Sequence, residues 1–471
     1  MAETALIVVD EARADDLARP AALLRSGGLT ILERQLRQVK RLGIAKVLIL
    51  AADFAVDVEA SLAKTRMGPV QLRVLRSTMD LAAVLPAGEA VLLIDGPVLL
   101  DDRLLDAVWQ AQAATVLAAF APKGQIAPEH GARRVAQEGR RIDFAGVAKL
   151  PGALVAASAS QAGKGALVPG LLASALGEKN GQILDPTSLP LYIPNHRRAV
   201  PLLWHRVSDM ASAARGTEKL LAMAQKGCLD WPARFFHPPI EDFLTRCLLP
   251  TSATPNQITL ITGLLGFFVT YLFASGQLLA ATLGALLIGP LDGVDGKLAR
   301  VKMATSRMGE LEHVLDKIVE YSWYFALAFA LAAGPGGRGV YGLALLVVLF
   351  AWAEVVQGEF FRRMTGRQLD DAGAFERAIR LIAGRRNTFI WALLPFGLAG
   401  AWTAGLWLLA FYSALTFFVA QWRFILRTRE FLSGLSPVIA RNFRLSAYFA
   451  PSKKTLSLIS NNAHREHGEL I

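Results

Sequence analysis

The chain has 471 residues, 53% hydrophobic and 19% charged, with a mean hydropathy of +0.37. That is too apolar for an ordinary soluble protein and excludes a disordered chain, a collagen-like repeat or a tail-rich scaffold. The net charge of +11 fits nucleic acid, an anionic membrane surface or a phosphorylated substrate, while two cysteines, Cys228 and Cys247, exclude a disulfide framework and a Cys-rich zinc module.

The opening Met1-Ala-Glu-Thr lacks the basic start of a secretory leader, so none is expected. Residues 5–225 then alternate short apolar strands and amphipathic helices: ALIVV, ILERQLRQVKRLG, AKVLILAA and AVLLID. This pattern predicts an α/β domain with a parallel sheet, and 113–121 reads as one more buried strand. Residues 226–250 mix aromatic, leucine and charged residues around Pro238-Pro239, as an interfacial amphipathic segment would.

Beyond this point long stretches carry no charge. Cys247 to Leu291 is 45 residues without a charged side chain, and Asn387 to Trp422 is another 36. A bilayer core takes roughly 20 apolar residues per helix, so each run fits a helical hairpin. Six transmembrane helices are predicted, near 255–275, 278–298, 311–333, 339–357, 387–402 and 404–424, giving an all-α polytopic membrane domain over 251–425. The turns on one side hold only Arg338, whereas the opposite segments and the tail 426–471 are rich in arginine and lysine. By the positive-inside rule both termini and the basic loops are expected on the cytoplasmic side of the cell membrane. Basic loops beside a membrane already have an explanation, so no nucleic-acid partner is expected.

The chemistry concentrates in Leu291–Lys317. Asp292, Asp295, Gly296, Ala299 and Arg300 fall on one face of a helix where it reaches the cytoplasmic border. Gly296 and Ala299 leave that face nearly bare, so a flat ligand would lie against the backbone. Glu312 and Asp316, four apart, open the next helix. Two antiparallel neighbours would gather four carboxylates, and their repulsion calls for a divalent cation with oxygen ligands, Mg²⁺ or Mn²⁺ in a two-metal site.

These residues resemble the signature of the CDP-alcohol phosphotransferase family, D-x-x-D-G-x-x-A-R-x8-G-x3-D-x3-D. Asp292, Asp295, Gly296, Ala299, Arg300 and Gly309 match it in identity and spacing. Strict counting puts His313 and Lys317 at the last two acid positions. A slide by one residue puts Glu312 and Asp316 there, and that register is favoured because His and Lys cannot replace two metal-binding acids. Thr254-Pro-Asn256-Gln-Ile-Thr259 and Gly384-Arg385-Arg386-Asn387 are similar to two further family elements. The resemblance implies transfer of a phospho-alcohol from a CDP-alcohol donor to an acceptor hydroxyl with release of CMP, in phospholipid or phospho-inositol biosynthesis. It makes Asp292, Asp295, Glu312 and Asp316 metal ligands, with Asp316 the base. Asn256, Gly296, Ala299 and Gly309 are expected to bind substrate, and Arg300 and Lys302 would hold the donor phosphate. Arg385 and Arg386, or Arg362 and Arg363, would bind an acceptor that is phosphorylated or a lipid. Membrane lipids are expected partners, and the family suggests a homodimer.

Residues 1–225 resemble sugar-1-phosphate nucleotidyltransferases, a Rossmann-type α/β fold, on Gly27-Gly-Leu-Thr-Ile-Leu-Glu-Arg34 and 42–50. The fusion is similar to inositol-phosphate cytidylyltransferase/di-inositol-phosphate phosphate synthases. The catalytic positions depart from that family. The loop after the first strand has no glycine and four acids, the lysine position is Ala21, the first metal aspartate is displaced to Asp95, and the second falls near Ser208 beside Asp209. A degenerate domain is expected. The alternatives are a working bifunctional enzyme and a non-catalytic membrane scaffold.

Overall fold

The computed structural model describes residues 3–9, 13–14, 17–65, 68, 70–86, 88–120, 132–137, 140–163, 165–178, 180–304, 309–334 and 337–434. The chain divides into two compact units. One comprises 1–191, 200–223 and 301–303; the other comprises 192–199, 224–300 and 304–471.

The first unit is built on an eight-stranded sheet: β1 (Glu3–Val8), β2 (Lys46–Leu50), β3 (Gln71–Leu75), β4 (Ala90–Asp95), β5 (Val116–Phe120), β6 (Arg133–Gln137), β7 (Arg140–Pro151) and β8 (Gln182–Leu184). The order is β8-β5-β7-β4-β1-β2-β3, with β6 pairing on β7. The pairs around β1 are parallel, as the alternation predicts. The sheet as a whole is mixed rather than parallel, because the 12-residue β7 runs antiparallel to β4, β5 and β6. Its sequence, RRIDFAGVAKLP, alternates poorly and carries charges at its start, so it gave no strand signal. The apolar runs of the central strands have a simple cause: both faces are covered. Ala5, Ile7, Val47, Ile49, Leu92 and Ile94 pack under α1 (Ile31–Arg41) and α2 (Asp102–Gln110). Leu6, Val8, Leu48, Leu50, Val91 and Leu93 pack under α3 (Gly152–Gln161) and α4 (Leu167–Gly177). The Thr30 hydroxyl caps α1 by accepting from Glu33 N–H at 3.0 Å. The buried amides Gln35 and Gln38 on α1 donate to the carbonyls of Gly96, Val98 and Leu100, fixing the segment that follows β4. The last of this unit's helices is α5 (Met210–Ala224), whose final residue is counted with the second unit.

The second unit opens with the hairpin β9 (Tyr192–Ile193) and β10 (Arg198–Ala199), then α6 (Trp231–Phe235) and α7 (His237–Leu248). Six helices follow: α8 (Pro255–Ala274), α9 (Leu278–Val301), α10 (Gly309–Leu331), α11 (Gly339–Thr365), α13 (Arg386–Leu398) and α14 (Trp402–Leu432). The short α12 (Ala374–Ile382) precedes α13. Helices occupy all six positions predicted to span, and four of them, α8, α9, α11 and α14, are long and apolar enough to cross a membrane. The other two differ for physical reasons. Helix α10 carries Glu312, Asp316, Lys317 and Glu320, and α13 has only 13 residues, about 20 Å of rise. Leu264, Phe268, Leu287, Leu349, Trp407, Phe411 and Phe418 are exposed, while Trp323, Tyr324, Phe389 and Leu406 fill the interior. Large apolar side chains facing outward in this number are what a lipid-facing surface requires.

Glycines set the helix spacings. A Cβ at Gly266 on α8 would meet Val319 Cγ1 of α10 at 2.5 Å, and Trp323 Nε1 donates to the Gly266 carbonyl at 2.9 Å. Gly289 and Gly293, one turn apart on α9, receive α7: a Cβ at Gly289 would lie 2.7 Å from His237 Cε1, and one at Gly293 2.6 Å from Glu241 Cδ. Helix α7 is therefore amphipathic in reverse. Its polar His237, Glu241 and Thr245 are buried, while Ile240 and Phe243 are exposed. Lys297, 1% exposed, completes this polar seam with Nζ 3.2 Å from Glu241 and 2.6 Å from Asp242. Burial pushes the Glu241 carboxyl up against the pull of Lys297.

Two outcomes follow from this packing. Gly266→Val should cost about 1–3 kcal/mol, because a stiff β-branched side chain meets another across the gap. Gly342→Ala, whose Cβ meets nothing within 4 Å, should be neutral or slightly stabilising; thermal unfolding of the detergent-solubilised chain compares them. Lys297→Met should cost about 3–5 kcal/mol by leaving Glu241 buried without a cation, and Glu241→Gln in the same chain should restore part of the lost melting temperature.

Candidate active site

Three helices bring the acids together. Asp292 and Asp295 lie on α9, Asp316 on α10, and Thr259 reaches in from α8. The Asp292 and Asp316 carboxyl groups lie close enough to act on each other, with Asp295 near enough to act on Asp316 electrostatically. Two carboxyl groups this close need a proton or a cation between them. Arg386, first residue of α13, supplies one positive charge, with Nη2 2.6 Å from Asp292 Oδ2. Asp295 is 2% exposed, and its Oδ2 accepts from Thr259 Oγ1 at 2.6 Å. Thr259 is placed by the start of its helix: Thr254 and Gln257 form a reciprocal capping box around Pro255, and Thr259 stands one turn further on. Asn256 is exposed in that first turn.

The remaining predicted residues separate. Gly309 and Glu312 fall in the first turn of α10, whose side chains lie outside the described residues. Gly296 and Ala299 do lie beside Asp295, but the face is not bare. Arg300 folds back so that a Cβ at Gly296 would meet its Nη1 at 3.1 Å, while its Nε donates to the Ala224 carbonyl at 2.7 Å. The bare-face expectation counted the small residues and overlooked a guanidinium one turn away that can reach back along the helix. Lys302 belongs to the first unit, where its carbonyl accepts from Arg37 Nη1 at 2.6 Å. Arg385 and Arg386 are adjacent but diverge. Arg386 turns to Asp292, and Arg385 pairs with Glu354 at 3.2 Å. Arg363 is largely exposed, 2.8 Å from Glu359.

Arg385 and Arg362 line a cavity of about 260 Å³ between α11, the 368–383 stretch and α14. Its wall carries five guanidinium groups and four carboxylates. Arg362 pairs with Glu359 at 2.7 Å, Arg385 with Glu354, and Arg423 Nε with Glu376 at 2.7 Å. Asp370 faces two cations, Arg197 at 3.0 Å and Arg380 at 3.2 Å. Burial alone would raise the Asp370 carboxyl, but Arg380 and Arg197 outweigh it and hold it below the usual range. Sequence reasoning missed Arg197, Asp370 and the role of Thr259. Only Thr259 had a signal, the second threonine of the Thr254-Pro-Asn segment.

As to a metal, Asp292, Asp295 and Asp316 are hard oxygen donors suited to Mg²⁺ or Mn²⁺, and the carboxyl pair marks where positive charge is lacking. Among the described residues no three His, Cys, Asp or Glu side chains form a ready-made ligand set. Asp292, Asp295 and Asp316 are the described residues that would hold a cation there.

In the first unit, Ala21 is buried in a 3₁₀ turn. Asp95, 2% exposed, is held by Arg133 Nε at 3.0 Å, and Asp209 Oδ1 accepts from Ser212 N–H at the start of α5.

Residues 252–369 match the model of the CDP-alcohol phosphatidyltransferase family. The chain is 30% identical over 151 residues to a bifunctional IPC transferase and DIPP synthase of Aquifex aeolicus (strain VF5), covering 31% of this chain and 33% of that protein. It is 30% identical over 195 residues to a protein of the same description from Thermococcus kodakarensis, covering 41% and 43%. The chain thus spans between a third and just over two-fifths of the length of these curated relatives. The solved inositol-1-phosphate CTP transferase from T. maritima aligns at 11% identity with a TM-score of 0.34, over 46% of this chain and 96% of its own. The segment 252–369 is thus similar to the CDP-alcohol phosphatidyltransferase family, and the aspartates of α9 and α10 lie inside the matched stretch.

Proposed function

We propose that the second unit is a six-helix membrane enzyme, with its active site at the cytoplasmic border, that moves a phospho-alcohol from a CDP-alcohol to an acceptor hydroxyl and releases CMP. The observation that carries this reading is the Asp292–Asp316 carboxyl pair beside Arg386. Adjacent Arg385 faces the arginine-lined cavity, so one dipeptide links the acid cluster to an anion site. Asp292, Asp295, Asp316 and Glu312 would hold Mg²⁺ or Mn²⁺, which when bound neutralises the donor's diphosphate and the departing CMP. Asp316 takes the proton of the acceptor hydroxyl. Arg386 holds Asp292 in place, Thr259 holds Asp295, and the cavity takes an anionic group on the acceptor, such as a phosphate. Positioning and charge neutralisation supply most of the rate in phosphoryl transfer.

The first unit is proposed to be a nucleotidyltransferase-like domain that has lost turnover, because Arg133 occupies the charge of Asp95 that a metal would need and Asp209 serves as a helix cap. A second reading, a bifunctional enzyme that also makes the CDP-alcohol from CTP, draws on the printed description of the two relatives. The full chain incubated with CTP and sugar or inositol phosphates separates the two: pyrophosphate release would establish the bifunctional reading.

For the membrane unit, the purified chain with CDP-diacylglycerol or CDP-inositol, Mg²⁺ and a panel of alcohols should release CMP. Asp316→Asn should lower the rate by 10²-fold or more, in line with loss of a positioned base, and chelation with EDTA should abolish it reversibly. Persistent absence of CMP across the panel, with Asp316→Asn indistinguishable from wild type in cells, would establish a scaffold instead.

A further inference from the structure

The hairpin 192–199 is part of the second unit and contributes one residue, Arg197, to the lining of the cavity. Its seat is specific. Gly227 N–H donates to the His196 carbonyl at 2.6 Å, and a Cβ at Gly227 would meet the Arg197 carbonyl oxygen at 2.8 Å. Arg198 Nε donates to the Gln225 carbonyl at 2.8 Å. At the other end Tyr192 donates its hydroxyl to Asp371, with the guanidinium of Arg367 over its ring at 5.2 Å. The Asp371 carboxyl is pushed up to about 6 by burial, against the pull of Arg377.

This seating delivers Arg197 to the cavity. Of the carboxylates lining the wall, Glu354, Glu359 and Glu376 are each matched by a lining arginine of the helices themselves, and Asp370 is matched by Arg380. Arg197 is the fifth guanidinium, so without the hairpin the lining charges would balance. The net positive charge that would attract an anion is therefore contributed by the hairpin. Arg380 Nη1 is buried without a hydrogen-bond partner, so a donor next to Arg197 awaits an acceptor oxygen.

We propose that Arg197 is a binding residue for the acceptor's anionic group, a phosphate monoester, and that the hairpin thereby selects phosphorylated acceptors over neutral alcohols. This rests on the reading of the cavity as the acceptor site. On ligand entry Arg197 would be shared between Asp370 and the phosphate, with Arg380 retaining Asp370.

The test is calorimetric titration of the full chain in detergent with inorganic phosphate, for wild type, Arg197→Ala, Arg197→Lys and Arg385→Ala, with melting temperatures measured alongside. Phosphate binding should weaken roughly tenfold in Arg197→Ala, as for loss of one charge-assisted hydrogen bond, and recover in part in Arg197→Lys. In turnover assays Arg197→Ala should raise KM for a phosphorylated alcohol while leaving kcat near wild type. If Arg385→Ala loses phosphate and Arg197→Ala binds it as wild type does, the hairpin proposal is overturned and the cavity reading stands. If wild type binds no phosphate, both fall. A melting temperature that drops in Arg197→Ala and in Arg197→Lys alike, with affinity following it, would assign Arg197 to structure alone and overturn the proposal.

Discussion

Carboxylates in an apolar helical unit must each be neutralised, because an ionised acid removed from water costs several kcal/mol when unpaired. The second unit meets that constraint case by case. Glu241 has Lys297, Glu320 has Lys317 and the Tyr324 hydroxyl, Glu354 has Arg385, and Glu376 has Arg423 and Arg427. Among the described acids of this unit Asp292 and Asp316 stand apart. They face each other as like groups, with one arginine to offset them and Asp295 nearby. Such an arrangement is unfavourable in the bare protein and would be relieved by a proton or a cation, and the surrounding helices hold the two groups in place.

Close helix approach does the holding. Gly266 lets α8 and α10 meet beside Val319, one turn from Asp316, while Gly289 and Gly293 admit α7 onto α9 on either side of Asp292. Aspartates on different helices reach each other only if the backbones lie that near, and small residues permit it. The polar seam of His237, Glu241 and Lys297 ties α7 to the same stretch of α9 that carries the acids. Asn387 donates to both carboxylate oxygens of Asp230 at 3.3 Å; an aspartate there would repel it.

Much of this was legible in the chain. The charge-free runs locate helices α8, α9, α13 and α14, and the spacing of Asp292, Asp295 and Asp316 places them on facing helices. The β1, β2 and β4 strands announce themselves as apolar runs because both their faces are covered. Strand β7 did not, since its outer residues are charged and its partners are distant in sequence. Helix α7 was legible as amphipathic but not in its orientation: a hydrophobic pattern shows that two faces differ, and only the lipid-facing side of a membrane protein makes the apolar one outermost. Arg197 lies between two regions of different composition, in a stretch without periodicity, so its place at the cavity depended wholly on tertiary pairing.

The arginines of the 354–386 stretch show how one charge pattern can answer two demands. Seven arginines stand there against five acids, which at the level of sequence is a topology signal. In the folded unit most of them are engaged within the stretch: Arg362 and Arg363 with Glu359, Arg367 and Arg377 with Asp371, Arg380 with Asp370, Arg385 with Glu354. Arg386 leaves it for Asp292. A bare excess of positive charge would orient a membrane segment equally well and would not need buried partners. That Arg362, Arg380 and Arg385 are held by carboxylates around a cavity is what a pocket requires if it is to recognise an anion at fixed geometry. The pairing accounts for where the arginines are.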